Sequence, residues 1–166
     1  MNAHLSKLPH IDISLGDQTL RLIDPAGNLV REYSVSTGLN GPGEQDGSGC
    51  TPRGEHYIRA MIGGGQPERS VFRGRRPTGE VYSPELAEEF PNRDWILSRI
   101  LWLCGRESGT NRGPGVDTFR RFIYIHGTPD SEPMGIPMSH GCVRMRNADV
   151  IDLYARVSPG TAVVIR

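Results

Sequence analysis

Glycine and proline punctuate this sequence so densely that long helices have no room. The 166 residues hold 21 Gly and 13 Pro, a share well above the usual one, and both types are poor in helix interiors. Between them lie short runs with the polar–apolar alternation of half-buried strands. Residues 10–15 alternate in this way, and residues 19–23 repeat the pattern after a Gly16-Asp17 turn. Asp24-Pro25-Ala26-Gly27-Asn28 supplies strong turn chemistry before a third strand over 29–36, so an antiparallel meander is predicted at the start. Residues 55–61 read as a further strand, 94–103 as a strand or a short buried helix, 119–126 as a central strand ending on His126, and 161–165 as a last strand. One helix is predicted over 147–157, where Val150, Ile151, Tyr154 and Val157 fall at helical spacing. Asn147 is its expected N-cap, Asp149 suits its first-turn dipole, and Ser158-Pro159-Gly160 stops it. The expected fold class is mostly β with short helices.

The length fits one domain over 1–166. Residues 63–94 show no sustained periodicity and read as an insertion or lid-like loop within it. Arg69, Arg73, Arg75 and Arg76 lie there; they suit either an anionic substrate or, more commonly, a solvated surface. Lys plus Arg equals Asp plus Glu at 19 each, so no net field argues for nucleic acid or a membrane surface. No stretch approaches the roughly 18 apolar residues of a membrane span. Residues 1–10 lack the apolar core of a secretory leader, so a cytoplasmic location is expected if Met1 is native, and a periplasmic one if a leader has been removed. Three cysteines, Cys50, Cys104 and Cys142, leave at least one thiol unpaired and do not make a disulfide scaffold.

The chemistry concentrates around Cys142. A thiol becomes a useful nucleophile only as a thiolate, so it needs a nearby base or positive field. Two histidines qualify: His140, two residues before it, and His126, sixteen before it at the end of a strand. His126 is the better base, because a strand end is a rigid support and near neighbours in sequence align poorly for proton transfer. Gly141 leaves room for a substrate to approach the backbone and lets main-chain N–H groups converge on an oxyanion. The same residues admit blander readings. A lone cysteine is more often a small buried hydrophobe, and His126, His140 and Cys142 with Asp130 form an alternative set of zinc ligands, although the loop between the histidines offers no further Cys or His.

Taken together, Ile125-His126-Gly127-Thr128 and Ser139-His140-Gly141-Cys142-Val143-Arg144-Met145, with twelve positions between His126 and Ser139, closely resemble the signature of the YkuD-type L,D-transpeptidase family. Val35-Ser36-Thr37-Gly38, Thr51-Pro52-Arg53-Gly54 and Pro159-Gly160-Thr161-Ala162-Val163-Val164-Ile165 resemble further landmarks of that family in the same order, so the likeness spans roughly residues 10–166. The resemblance implies a β-sandwich-like L,D-transpeptidase catalytic domain. It implies that Cys142 attacks the bond between the third residue, a diamino acid, and the terminal D-alanine of a peptidoglycan stem tetrapeptide. His126 is then the proton acceptor and donor, oriented by the carbonyl of Gly127. The amides of His140, Gly141 and Cys142 hold the oxyanion, and Ser139, Arg144 and Thr128 contact or shape the substrate site. Neither a metal nor an organic cofactor is expected, and carbapenem-type β-lactams are expected to acylate Cys142.

The motif serves the first half-reaction only. Attack on the acyl-enzyme by water makes an L,D-carboxypeptidase, whereas attack by an amine makes an L,D-transpeptidase that forms 3-3 cross-links or attaches proteins to the wall. The absence of a leader at Met1 favours the carboxypeptidase, acting on recycled wall fragments. A zinc hydrolase and a binding module that has lost its chemistry are the remaining alternatives. The diamino acid and the oligomeric state are left open by the sequence.

Overall fold

The structure is a computed structural model and describes residues 7–166. Ten strands among the described residues form one hydrogen-bonded sheet, with two helices outside it. The N-terminal meander comes first: β1 (His10–Ser14), β2 (Thr19–Ile23) and β3 (Leu29–Ser34) pair antiparallel in sequence order. Their alternation puts Ile11, Ile13, Leu20 and Leu22 into the core, each at most 2% exposed. The β2–β3 turn closes as its sequence suggests, with the Asp24 carboxylate accepting from the amides of Ala26 and Asn28.

The meander does not continue into β4 (Gly54–Ile62). The last strand, β10 (Ala162–Ile165), runs between them, parallel to β1 and antiparallel to β4. Beyond β4 lies β7 (Ile96–Gly105), the longest strand and the one that organises the site. The ambiguous 94–103 stretch is therefore a strand. One edge of β7 carries β4 along residues 100–105 and then β5 (Ser70–Arg73) at Ile96 and Leu97; the other edge carries β8 (Tyr124–Gly127). Short β9 (Val143–Met145) runs parallel to β8.

Residues 63–94 are more ordered than an insertion without periodicity suggests. They form β5, β6 (Arg76–Val81) and a one-and-a-half-turn helix α1 (Pro84–Glu89), capped by Ser83 Oγ on the Leu86 amide. No periodicity marks β6 because almost all of its residues are exposed. Residues 119–126 show the opposite discrepancy, since only Tyr124 onward is strand. The preceding residues turn instead: the Asp117 carboxylate accepts from the amides of Gly113 and Arg120, and Phe122 sits at φ +57°. The apolar pattern there comes from Phe119 stacking on Trp102, with ring centroids 4.0 Å apart, and not from strand alternation.

Helix α2 (Asn147–Arg156) packs Val150 and Leu153 onto the main core. Of the residues expected at helical spacing, Val150 is buried and Tyr154 and Val157 pack partly buried against the core, whereas Leu153 is not among them. Full burial of each is worth about 1.5–3 kcal/mol. Tyr33 on β3 donates to Asp152 on α2 at 2.6 Å, a second tie between helix and sheet. Asn147 is not the N-cap. Arg146 holds that position without a side-chain cap bond, while the Asn147 side chain is fully buried and engaged elsewhere. Among the described residues no helix is long and apolar enough to cross a membrane.

Candidate active site

His126 and Cys142 reach one cleft, of about 270 Å³, from β8 and from the turn that leads into its neighbour β9. Along β8 the side chains alternate, so Ile125 enters the main core while Tyr124 and His126 share the opposite face. His126 is 2% exposed, and its Nδ1 lies 2.6 Å from the Gly127 carbonyl. A carbonyl only accepts, so Nδ1 carries the proton and Nε2 is the bare nitrogen. Burial pulls the His126 pKa below the usual imidazole value; the Gly127 carbonyl and the Asp94 carboxylate counter that shift, and Arg144 adds to it. The imidazole is thus neutral and basic at neutral pH.

The thiol rests between two backbone groups. Cys142 Sγ donates to the Phe122 carbonyl and accepts from the Tyr124 amide, each at 3.3 Å. Among the described residues its hydrogen bonds go to these groups and not to His126. Burial pushes the thiol up to about 12; the Tyr124 amide and the guanidiniums of Arg144 and Arg121 oppose this, while Asp94 adds to it. The resting pair is therefore neutral thiol and neutral imidazole. An ionised pair is disfavoured because burial penalises both charges at once.

The Ser-His-Gly-Cys turn is held by its own hydroxyl and by two distant segments. Ser139 Oγ donates to the Cys142 carbonyl at 2.6 Å and accepts from the Gly141 amide at 3.1 Å. One of the three amides expected to gather on an oxyanion is thus already engaged, leaving those of His140 and Cys142 as the better candidates. Gly141 sits at φ +125°, and a Cβ there would come within 3.0 Å of the Cys50 carbonyl. Thr51 Oγ1 donates to the Gly141 carbonyl and accepts from the Gly38 amide, both at 2.8 Å. Residues 36–39 run alongside as a strut, exchanging backbone bonds between Ser36 and Arg144 and bonding Leu39 to Ser139. The two upstream landmarks of the sequence are therefore braces for this turn.

A second network fixes the His126 end. The Asn147 amide donates to the Thr128 carbonyl and the Asp130 carboxylate, and its Oδ1 accepts from Ser98 Oγ at 2.6 Å. Ser98, at φ +69°, lies in the irregular stretch of β7 where its register against β8 shifts. Gly127 fits only without a side chain, since a Cβ would stand 2.5 Å from the Leu97 carbonyl. Asp130, a conceivable zinc ligand on sequence, is turned to Asn147, and among the described residues no three His, Cys, Asp or Glu side chains converge as a metal site.

The predicted residues divide accordingly. His126, Ser139, His140, Cys142 and Arg144 line the cleft, and His140 is exposed at its rim. Thr128 is 2% exposed and lies outside the lining; its backbone ties β9 to Asn147. Cys50 contributes its carbonyl behind Gly141, and Cys104 is a buried thiol in β7. Sequence reasoning missed Asp94, Arg75 as a cleft residue, and Arg121, which donates to the carbonyls of Gly43 and Cys50. No local signal marks them, because the contacts join residues tens of positions apart. Asp94 also borders a second hollow of about 560 Å³, formed with Arg73, Phe90 and Arg93.

A thiol, a bare imidazole nitrogen and a turn of main-chain amides in one cleft are the parts needed for acyl transfer through a thioester. Comparison with known proteins points the same way. The family model described as YkuD, L,D-transpeptidase catalytic domain, matches residues 9–165. The probable L,D-transpeptidase YbiS of Escherichia coli K12 is 46% identical over 43 residues, 26% of this chain and 14% of that protein. The putative L,D-transpeptidase YkuD of Bacillus subtilis is 49% identical over 41 residues, 25% of each chain. The matched segments are thus a minor part of those curated relatives. Among solved structures, an L,D-transpeptidase from Xylanimonas cellulosilytica superposes with a TM-score of 0.55 at 21% identity, over 98% of this chain and 62% of that one. L,D-transpeptidase 3 of Mycobacterium tuberculosis, in complex with a faropenem-derived adduct, gives a TM-score of 0.56 at 16% identity, over 95% and 60%. At such identities these two likenesses speak for the fold.

Proposed function

Since this chain belongs to the L,D-transpeptidase catalytic domain family, we propose that it cleaves the diamino acid–D-alanine bond of peptidoglycan stem tetrapeptides through a thioester on Cys142. The observation that carries this reading is the shared cleft of Cys142 and His126, with Nδ1 held by Gly127 so that Nε2 is free to take a proton. Substrate entry draws the thiol proton to Nε2 as sulfur attacks the carbonyl carbon. The amides of His140 and Cys142 meet the oxyanion. Collapse of the tetrahedral adduct breaks the C–N bond, and the departing D-alanine amine takes the proton back from His126. A thioester and a neutral imidazole remain.

An amine or water then repeats the sequence in reverse and frees the thiol. The hollow beyond Asp94 supports an amine acceptor, because it adjoins the cleft and gives a second stem room to approach the thioester. We therefore favour transfer, with hydrolysis as the competing fate. Incubation with a disaccharide-tetrapeptide followed by mass spectrometry separates them: a dimer lacking one D-alanine marks transfer, and a tripeptide alone marks an L,D-carboxypeptidase. Cys142→Ala is expected to give neither product, and an active Cys142→Ala protein would sink the mechanism. By analogy with the penem-derived adduct of the M. tuberculosis relative, a penem or carbapenem is expected to add covalently to Cys142, read as an intact-mass increase absent in the same variant.

A further inference from the structure

Three guanidiniums face the catalytic cleft, those of Arg75, Arg121 and Arg144, and they are not equally occupied. Arg121 spends its donors on the carbonyls of Gly43 and Cys50 and on Ser48 Oγ. Arg144 reaches the Met138 carbonyl and lies 3.7 Å from the Asp94 carboxylate. Arg75 has five N–H donors and one polar contact, from Nη1 to the Tyr124 hydroxyl at 3.2 Å. Among the described residues no carboxylate or carbonyl pairs with it.

Its position is fixed by the backbone and by ring faces. Arg73 and Arg76 pair across the β5–β6 hairpin, leaving Gly74-Arg75 as a two-residue turn with φ +54° and +63°, the pattern of a type I′ turn. From that tip the guanidinium lies 4.9 Å from the Phe122 ring centroid and 5.0 Å from that of Trp102. Such stacking leaves the edge of a guanidinium free for a planar anion.

The order of groups along β8 says which part of a substrate meets that edge. Tyr124 and His126 share one face of the strand, about 7 Å apart. Arg144 is the register partner of His126, whereas Arg75 bonds Tyr124, whose amide contacts the thiol. His126 must protonate the leaving amine, so the leaving D-alanine lies at the His126–Arg144 end. The acyl residue that stays on sulfur then extends toward Tyr124 and Arg75, and its side chain is the nearest substrate group to the open guanidinium.

Resting on the assignment of Cys142 and His126 made above, we propose that Arg75 is a specificity-determining residue that binds a carboxylate on the retained acyl residue. It thereby selects stems whose third residue is a diamino diacid over those with an amidated side chain or a lysine. The charge-assisted, two-point bond available to a carboxylate is lost with an amide, and a lysine ammonium faces a like charge.

The test is steady-state turnover of three tetrapeptides differing only at residue three: diaminopimelic acid, its side-chain amide, and lysine. The wild-type protein is expected to favour the diacid by tenfold or more in kcat/KM, mainly through KM. Arg75→Gln is expected to lose that advantage while turning over the amide peptide at the wild-type rate and the lysine peptide at least as fast, which also shows that it folds; Arg75→Lys is expected to recover part of the advantage. A preference that survives in Arg75→Gln, a wild-type protein indifferent to residue three, or equal losses on all three peptides would overturn the role of Arg75 and leave the Cys142 reading intact. Wild-type protein inert toward all three would remove both.

Discussion

The Cys142 thiol, pushed up to about 12, and the His126 imidazole, pulled below its usual value, are both uncharged at neutral pH because the same burial acts on acids and bases with opposite sign. Two outcomes follow from the signs. Acylation of Cys142 by a carbapenem should slow as pH falls through the depressed His126 pKa, below 6.5, since the protonated ring cannot take the thiol proton. No matching decline should appear between pH 7 and 9, because deprotonating the thiol only helps; stopped-flow or quenched mass spectrometry across pH 4.5–9 checks this, and a rate peak near neutrality with loss on both sides would contradict it. His56 carries a separate acid sensitivity. It is 1% exposed, with Nδ1 near the Gly54 carbonyl and Nε2 near Thr118 Oγ1, and burial lowers its pKa to about 4. The unfolded chain binds that proton near 6.5, so the stability is complete above pH 6.5 and drains as pH falls toward 4, by about 3 kcal/mol. Urea midpoints at pH 7.5 and 4.5 should fall further apart in wild type than in His56→Gln.

The loops that carry the cysteine are rigid because other elements brace them. Thr51→Val keeps the shape of the side chain but leaves the Gly38 amide and Gly141 carbonyl without their shared hydroxyl. Each buried group left unpaired costs about 1–3 kcal/mol. Acylation should slow by at least tenfold and the melting temperature should fall by roughly 5–20 °C, which calorimetry and acylation kinetics measure together. Gly127→Ala should be worse, because its Cβ meets the Leu97 carbonyl at 2.5 Å; little folded protein is the expected result. These braces mark the limit of what the sequence discloses. Helix α2 is legible because Val150, Tyr154 and Val157 repeat at helical spacing, and β1 and β2 because their alternation is clean. The cysteine, its histidine and the Gly127 carbonyl are legible from a motif. Thr51, Ser98, Asn147 and Arg75 act across separations of 13 to 90 residues, and no local pattern records that. Asn147 shows the difficulty well, since a residue type suited to capping is consumed by Thr128 and Asp130 instead.

At the scale of the molecule, the sheet is stitched in an order the chain does not follow. β10 joins the meander to the β4–β7 half through both of its edges. Changing Val163, fully buried in the main core, to Asp should therefore abolish cooperative unfolding and not merely lower its midpoint, as thermal melts followed by circular dichroism would show. Strand order was beyond reach of the sequence because alternation reports which face of a strand is buried and not which neighbours it has. The position of β10 also bears on how the protein is made. A ribosome delivers His126 and Cys142 before residues 162–165, yet β1 and β4 have no shared partner until those residues emerge. The catalytic groups are thus synthesised well before the sheet that supports them can close, and the reactive thiol spends its first moments in a chain whose two halves are not yet joined.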